Sequence, residues 1–280
     1  MQYAQIEGVR REAESGLFGT CPVCSSAVIA KCGERRVRHW AHKGTRHCDH
    51  WWEPETEWHR AWKNKFPAEW QEIVHRAPDG EKHIADVKTA FGRVIEFQHS
   101  FIKPDERRSR EAFYKPMIWV VNGLRRKRDR PGFCKALLGG SRINIELLTY
   151  RVPPDRCSIL REWLDSNVPV FFDFGIAEDI VFFKVRVLWR LDPNSSSDAA
   201  FLTPVPLQKF IEALNKGEPV TGFRVKKVEI TKRTLARSRP IPPWRPHRPP
   251  SGSPGFARYL ARKQRSRRRF LSLRIASAKQ

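Results

Sequence analysis

The chain has 280 residues and carries 53 Lys and Arg against 30 Asp and Glu, a formal charge of +23. Hydrophobic residues make up 40%, enough for a core, which excludes a wholly disordered chain. The longest apolar runs, such as Met117 to Val121, fall far short of the ~20 residues of a membrane helix, and Glu7, Glu12 and Glu14 interrupt the place of a secretory leader.

Residues 1–20 read as one or two strands with a turn at Ser15-Gly16. Residues 21–50 are crowded with Cys, His and basic groups. Four of the six cysteines fall between Cys21 and Cys48, among histidines, which favours metal over cross-linking and implies a reducing compartment, hence a cytoplasmic protein. Cys21-Pro22-Val23-Cys24 is a knuckle whose two thiolates can grip one tetrahedral metal. His39-Trp40-Ala41-His42 follows, and Cys21, Cys24, His39 and His42 are the expected ligands of a structural zinc. Cys32, His47, Cys48 and His50 are near enough to replace one of them. The plain alternative is buried thiols beside surface histidines.

A helix is predicted from about Glu55 to Phe66, with Pro54 at its start. Glu55, His59 and Lys63, at i, i+4 and i+8, share one face. Strands follow at Glu72–Arg76, Lys82–Thr89 and Arg93–Gln98, separated by turns at Pro78-Asp79-Gly80 and Phe91-Gly92. A charged helix at Pro104–Tyr114 and a buried strand at Met117–Val121 complete an α-β-β-β-α-β order, which implies a mixed α/β sheet. Asp86 sits among apolar residues, and an unpaired buried carboxylate costs several kcal/mol. Adjacent strands bring it to Glu96, and a divalent cation such as Mg²⁺ relieves the repulsion of such a pair. Held there, the ion polarises a phosphodiester and activates water. The alternative is that each acid pairs with Arg or Lys on a solvated face.

Residues 136–235 read as a second α+β unit, with β-rich stretches at Val168–Phe174 and Ile180–Trp189, a loop at Asn194–Ser197, a helix at Leu207–Leu214 and a strand at Phe223–Ile230. From Lys232 onward there are fifteen Lys and Arg and no acid. Seven prolines in Pro240–Pro254 exclude a helix there. Arg262, Lys263, Arg265, Arg267, Arg268 and Arg269, interleaved with apolar residues, then suit a phosphate-rich partner. A solvated tail with incidental affinity is the competing reading.

Taken in order, Cys-x2-Cys, His-x-Ala-His, Glu-Thr-x-x-His-x3-Lys, Ala-Asp-Val, Ile-Glu-x-Gln-x-Ser and Arg-x3-Tyr before an Ile-Trp-Val strand resemble the competence protein CoiA family over residues 18–122. That resemblance implies a zinc-finger-like module (1–50) joined to a restriction-endonuclease-like, PD-(D/E)XK-type nuclease domain (51–135). The α+β unit and the basic tail from 236 lie beyond it. It implies that Glu55 is the first-helix acid, Asp86 the magnesium-binding aspartate and Glu96 the second acid. Gln98 stands where such enzymes usually carry lysine. Lys63, or His59 as charge or proton carrier, is then the substitute. Arg110 is expected as a phosphate clamp, with Ser100 and Tyr114 in supporting positions. The expected function is a Mg²⁺-dependent DNA nuclease tied to DNA uptake or recombination, with DNA and possible recombination or competence proteins as partners. An inactive nuclease fold that recruits factors to DNA is the second expectation, and RNA binding through the tail the third.

Overall fold

The computed structural model describes residues 1–222 other than 35, 45–47, 52, 79, 145, 156, 176–184 and 194. The predicted Phe223–Ile230 strand, the basic tail from 236 and His47 therefore lie outside the described residues.

The first 42 residues form a five-stranded antiparallel sheet in the order β2-β1-β3-β4-β5, from β1 (Tyr3–Ile6), β2 (Val9–Glu12), β3 (Phe18–Thr20), β4 (Ala27–Lys31) and β5 (His39–His42). There is one more strand before residue 21 than the sequence predicts. Its turn is Glu7-Gly8, where both residues have positive φ (50° and 80°). That pattern joins a two-residue hairpin whose twist suits the strands, and glutamate gives no turn signal at such a position. Ala4, Ala13, Cys21, Val23, Val28 and Trp40 pack as this module's own small core.

After α1 (Glu57–Lys63) come β6 (Gln71–Arg76), β7 (Lys82–Lys88), β8 (Val94–Gln98), α2 (Pro104–Phe113) and β9 (Met117–Asn122). The predicted α-β-β-β-α-β order is present, each element within a few residues of its expected ends. The chain continues through α3 (Asp129–Leu138), β10 (Ser141–Asn144), β11 (Thr149–Val152), α4 (Ser158–Arg161), β12 (Val170–Asp173), β13 (Val187–Leu191), β14 (Ala200–Pro206) and α5 (Leu207–Lys216).

These later strands do not build a sheet of their own. They extend the first one into nine strands ordered β10-β11-β14-β13-β12-β9-β8-β7-β6. The join is the parallel pairing of β12 with β9 (Val170 opposite Trp119, Phe172 opposite Val121), and β8 also runs parallel to β9. Thus residues 136–222 share one sheet with the preceding segment rather than standing apart. The central strands are apolar on both faces, as parallel strands covered by helices must be. Met117, Trp119 and Val121 face a core shared with Phe133, Ile159 and Leu160, whereas Ile118 and Val120 face one shared with Trp62 and Phe210. Residues of α3 and α4 therefore cover one face, and residues of α1 and α5 the other.

Candidate functional site

The Cys/His cluster is assembled by register. The turn between β3 and β4 is closed by Cys21 N–H on the Ser26 carbonyl (2.9 Å) and Ser25 N–H on the Cys21 carbonyl (2.9 Å). It presents Cys21 and Cys24. The pairing of β4 with β5 sets His42 opposite Val28, next to that turn. Cys48 then enters from the segment after β5. The Sγ atoms of Cys21 and Cys48 are 3.5 Å apart, and Cys24 Sγ is 3.3 Å from His42 Nε2. All four donor atoms lie within 4.8 Å of one another. Tetrahedral zinc with ~2.3 Å bonds to sulfur needs donor separations of about 3.7 Å. The set Cys21, Cys24, His42 and Cys48 can hold a metal such as zinc.

His39 is not in it. Residues three apart on a strand point to opposite faces and sit ~10 Å apart. His39 instead hydrogen-bonds through Nδ1 to the Val37 carbonyl (2.8 Å). Cys48, one of the substitutes recognisable in the sequence, takes its place. Cys32 turns to the Ala13 carbonyl. Hydrogen bonds from Ser26 and His42 outweigh burial at Cys24 and lower its thiol to about 6, whereas burial and the Cys21 sulfur push Cys48 up.

The second cluster is carboxylate. The register of β6 on β7 (Ile73 opposite Ala85) and of β7 on β8 (Val87 opposite Ile95) puts Glu72, Asp86 and Glu96 in one cross-strand row. Like charges in such a row repel. Regular pairing is interrupted there, and the carboxylates bond to neighbouring backbone instead. Asp86 Oδ2 accepts Phe97 N–H (2.9 Å), and Glu96 Oε1 accepts Asp86 N–H (3.1 Å). Glu72 accepts the N–H groups of Gln2 (2.7 Å) and Tyr3 (3.0 Å), which ties the amino-terminal sheet to this row.

The row opens onto a cavity of about 90 Å³ that Glu55, His59, Lys63, Glu72, Asp86, Glu96 and Arg110 all help to line. Six of these residues are expected from the sequence, and Glu72 is new. Also new are Asp49, Trp51 and Glu53. With Glu55 they fall on alternate residues of the segment leading to α1, and that alternation is a signal the sequence does contain.

Cations neutralise the two ends of the row. Lys63, only 2% exposed, reaches Glu55 (2.6 Å) and Glu72 (2.7 Å). Burial works against its charge, but those two acids outweigh it and raise its pKa. In Glu72 burial is overcome by Lys63 and the amino terminus, and the carboxyl falls to about 2. Glu55 is likewise held low, against burial, by Arg60 and Lys63. At the other end Arg110 contacts Glu96 (3.2 Å). In the middle, Asp86 makes no ion pair with the described residues, and its Oδ1 has no hydrogen-bond partner among them. Burial raises Asp86, with Lys63 and His59 opposing. Burial and then Asp86 raise Glu96 to about 8.

Three expected roles change on contact with this geometry. Arg110 is buried on α2, where it binds Glu96, Glu106 and the Trp51 carbonyl, so it positions acids rather than meeting a phosphate. His59 uses both nitrogens: Thr56 N–H donates to Nδ1 in a capping box, and Nε2–H donates to the Phe97 carbonyl (2.8 Å). It therefore pins α1 to β8, with both ring nitrogens engaged by the fold. Gln98 is 1% exposed and donates to Glu53 and to Ser100, so it touches the cavity only through Glu53. Tyr114 is fully buried, its hydroxyl unpartnered, and it supports the fold. Arg262, Lys263, Arg265, Arg267, Arg268 and Arg269 lie outside the described residues.

Among the described residues no helix is long and apolar enough to cross a membrane. Residues 8–50 match the family model described as the competence protein CoiA, N-terminal domain. The match covers the metal-ligand set and stops before the carboxylate row. No curated protein and no solved structure matches the chain.

Proposed function

We propose, from this CoiA-like amino-terminal module and the carboxylate row behind it, that the protein is a divalent-metal-dependent DNA nuclease. It would serve DNA uptake or recombination, with a zinc-stapled module on a PD-(D/E)XK-like core. The observation that carries this reading is Asp86: the central acid of three, facing a cavity, with an oxygen that no described side chain claims. Glu72 and Glu96 beside it already have cations. The residues fit a small oxygen-seeking ion, because a buried acid pair with one member raised to about 8 is relieved by a dication. A cavity of about 90 Å³ holds the ion with one or two waters.

Asp86 and Glu96 would hold Mg²⁺, which supplies Lewis acidity and an activated water when bound. Lys63 holds a fixed positive charge against Glu55 and Glu72, the task that Gln98 cannot perform. Arg110 fixes the Glu96 carboxylate, and His59 fixes α1 over the end of β8. The four-donor cluster would take zinc, the usual ion for three thiolates and an imidazole. Six cysteines with no disulfide among them suit a reducing cytoplasm.

The test is a panel of labelled DNA and RNA substrates with Mg²⁺ or Mn²⁺. Wild type should cut DNA, and Asp86→Ala or Glu96→Ala should lose cleavage at least a thousandfold with salt-sensitive binding kept. Equal cleavage by wild type and both variants, in clean preparations, overturns the assignment. A second reading, an inactive fold that recruits other factors to DNA, is favoured by the internal pairing of Glu72 and Glu96 and by the distance of Gln98 from the cavity. It predicts binding without metal-dependent cleavage of any substrate.

A further inference from the structure

A second charged feature lies on α3 and the loop before it, in the stretch Leu124-Arg125-Arg126-Lys127-Arg128-Asp129-Arg130. An open groove of about 660 Å³ runs there, lined by Arg126, Lys127, Arg130 and Lys135 with Leu124 and Leu138. Five cations in and around the groove fall into two groups. Arg125 and Arg126 are bound internally, both of them to Asp129 and Glu162, which locks the loop. Lys127, Arg128 and Lys135 are exposed and make no ion pair with the described residues. Solvated charges that repel one another are held in place by a scaffold of paired ones.

The loop is anchored to the carboxylate strand. Arg125 donates to the Ser100 carbonyl (2.6 Å), and Asn122, at the end of β9, contacts His99 (2.9 Å). Ser100 also accepts from Gln98, two residues past Glu96. The loop that leads into these cations is therefore tied to the residues that follow the strand carrying Glu96. From Asp129 to Lys135 the helix covers ~9 Å, over which one strand of a duplex sets about three phosphates at ~3.4 Å each. Leu124 and Leu138, 50% and 86% exposed, flank the cations at the two ends of the groove.

We infer that Lys127, Arg128 and Lys135 form a DNA-backbone contact that delivers a strand toward the carboxylate cavity. The choice of DNA rests on the function proposed above, while the phosphate contact rests on the groove and on the exposed cations in and beside it. Binding of the full-length chain to labelled duplex and single-stranded DNA is measured by anisotropy in EDTA over a range of salt. The triple variant Lys127→Ala, Arg128→Ala, Lys135→Ala should lower the slope of log affinity against log salt by about 2–3 on duplex, at ~0.9 per phosphate. Affinity at ~0.1 M salt should fall about tenfold or more. An unchanged slope overturns the inference. Acetylation of wild-type lysines with and without DNA gives a second measure that needs no variant: Lys127 and Lys135 should be protected, and full labelling on the bound protein counts against the site. Stronger protection by RNA, by an acidic polypeptide or by anionic vesicles overturns the choice of DNA. Because all of this is read without cleavage, loss of the nuclease reading and loss of this contact give different results.

Discussion

The Cys/His cluster and the carboxylate row are both sets of potential metal ligands, yet they stand in opposite electrostatic states. The first draws four donors together, and among the described residues no lysine or arginine is bonded to them. The second is stitched to Lys63, Arg60 and Arg110, and Asp86 in its middle makes no ion pair among the described residues. The first can hold a metal such as zinc at its centre. The second holds together without one and has room for one. On the proposed function the first would be a permanent zinc site and the second a site that exchanges its ion and substrate.

The sharpest break of this contrast is removal of the staple. Cys24→Ser should abolish stoichiometric zinc and unfold the amino-terminal module, because structural zinc contributes on the order of 10 kcal/mol in small modules. His39→Ala should keep full zinc content. Zinc analysis by mass spectrometry with far-ultraviolet circular dichroism checks both, and loss of metal from His39→Ala would restore the ligand set expected from the sequence.

A smaller effect is expected at Lys63. Lys63→Met leaves Glu55 and Glu72 facing each other without their shared cation, and breaking a buried pair this way costs about 3–5 kcal/mol. Urea unfolding measures it. A change below ~1 kcal/mol would mean that the row does not depend on internal cations.

The smallest effect is a pH slope. Glu96 is raised from 4.5 to about 8, so the folded metal-free protein holds a proton that the unfolded chain releases. Its contribution is fully present below pH ~4.5 and is lost as pH rises toward 8. Thermal unfolding in EDTA should show stability declining across that window, and Glu96→Gln should flatten the decline. Mg²⁺ should restore stability at pH 8 and do little at pH 5, where the proton competes. The same slope with and without Mg²⁺ would remove the ion from the row.

Much of this was legible in the residues. Period-two alternation and turn signals located β6, β7, β8 and β9; the helical spacing of His59 and Lys63 places both on α1, whereas Glu55, expected on the same helix face, precedes the N-cap Thr56 and reaches the cavity from the segment before α1. The neighbouring-strand argument brought Asp86 to Glu96. Glu72 was not legible as their partner, because only register says which residue of a third strand stands in the row. His39 misled because its spacing from His42 was weighed as a ligand motif, whereas residues three apart on a strand point to opposite faces.

By itself the sequence determined what local chemistry can encode: element types, the knuckle, the acids and the surplus of positive charge. Only the tertiary structure decided which acids keep a free oxygen, that Cys48 completes the metal set, that Arg110 faces inward, and that the later strands join the earlier sheet. Those outcomes depend on contacts between residues far apart in the chain. Burial and pairing are properties of the assembled neighbourhood, and no single segment carries that information alone.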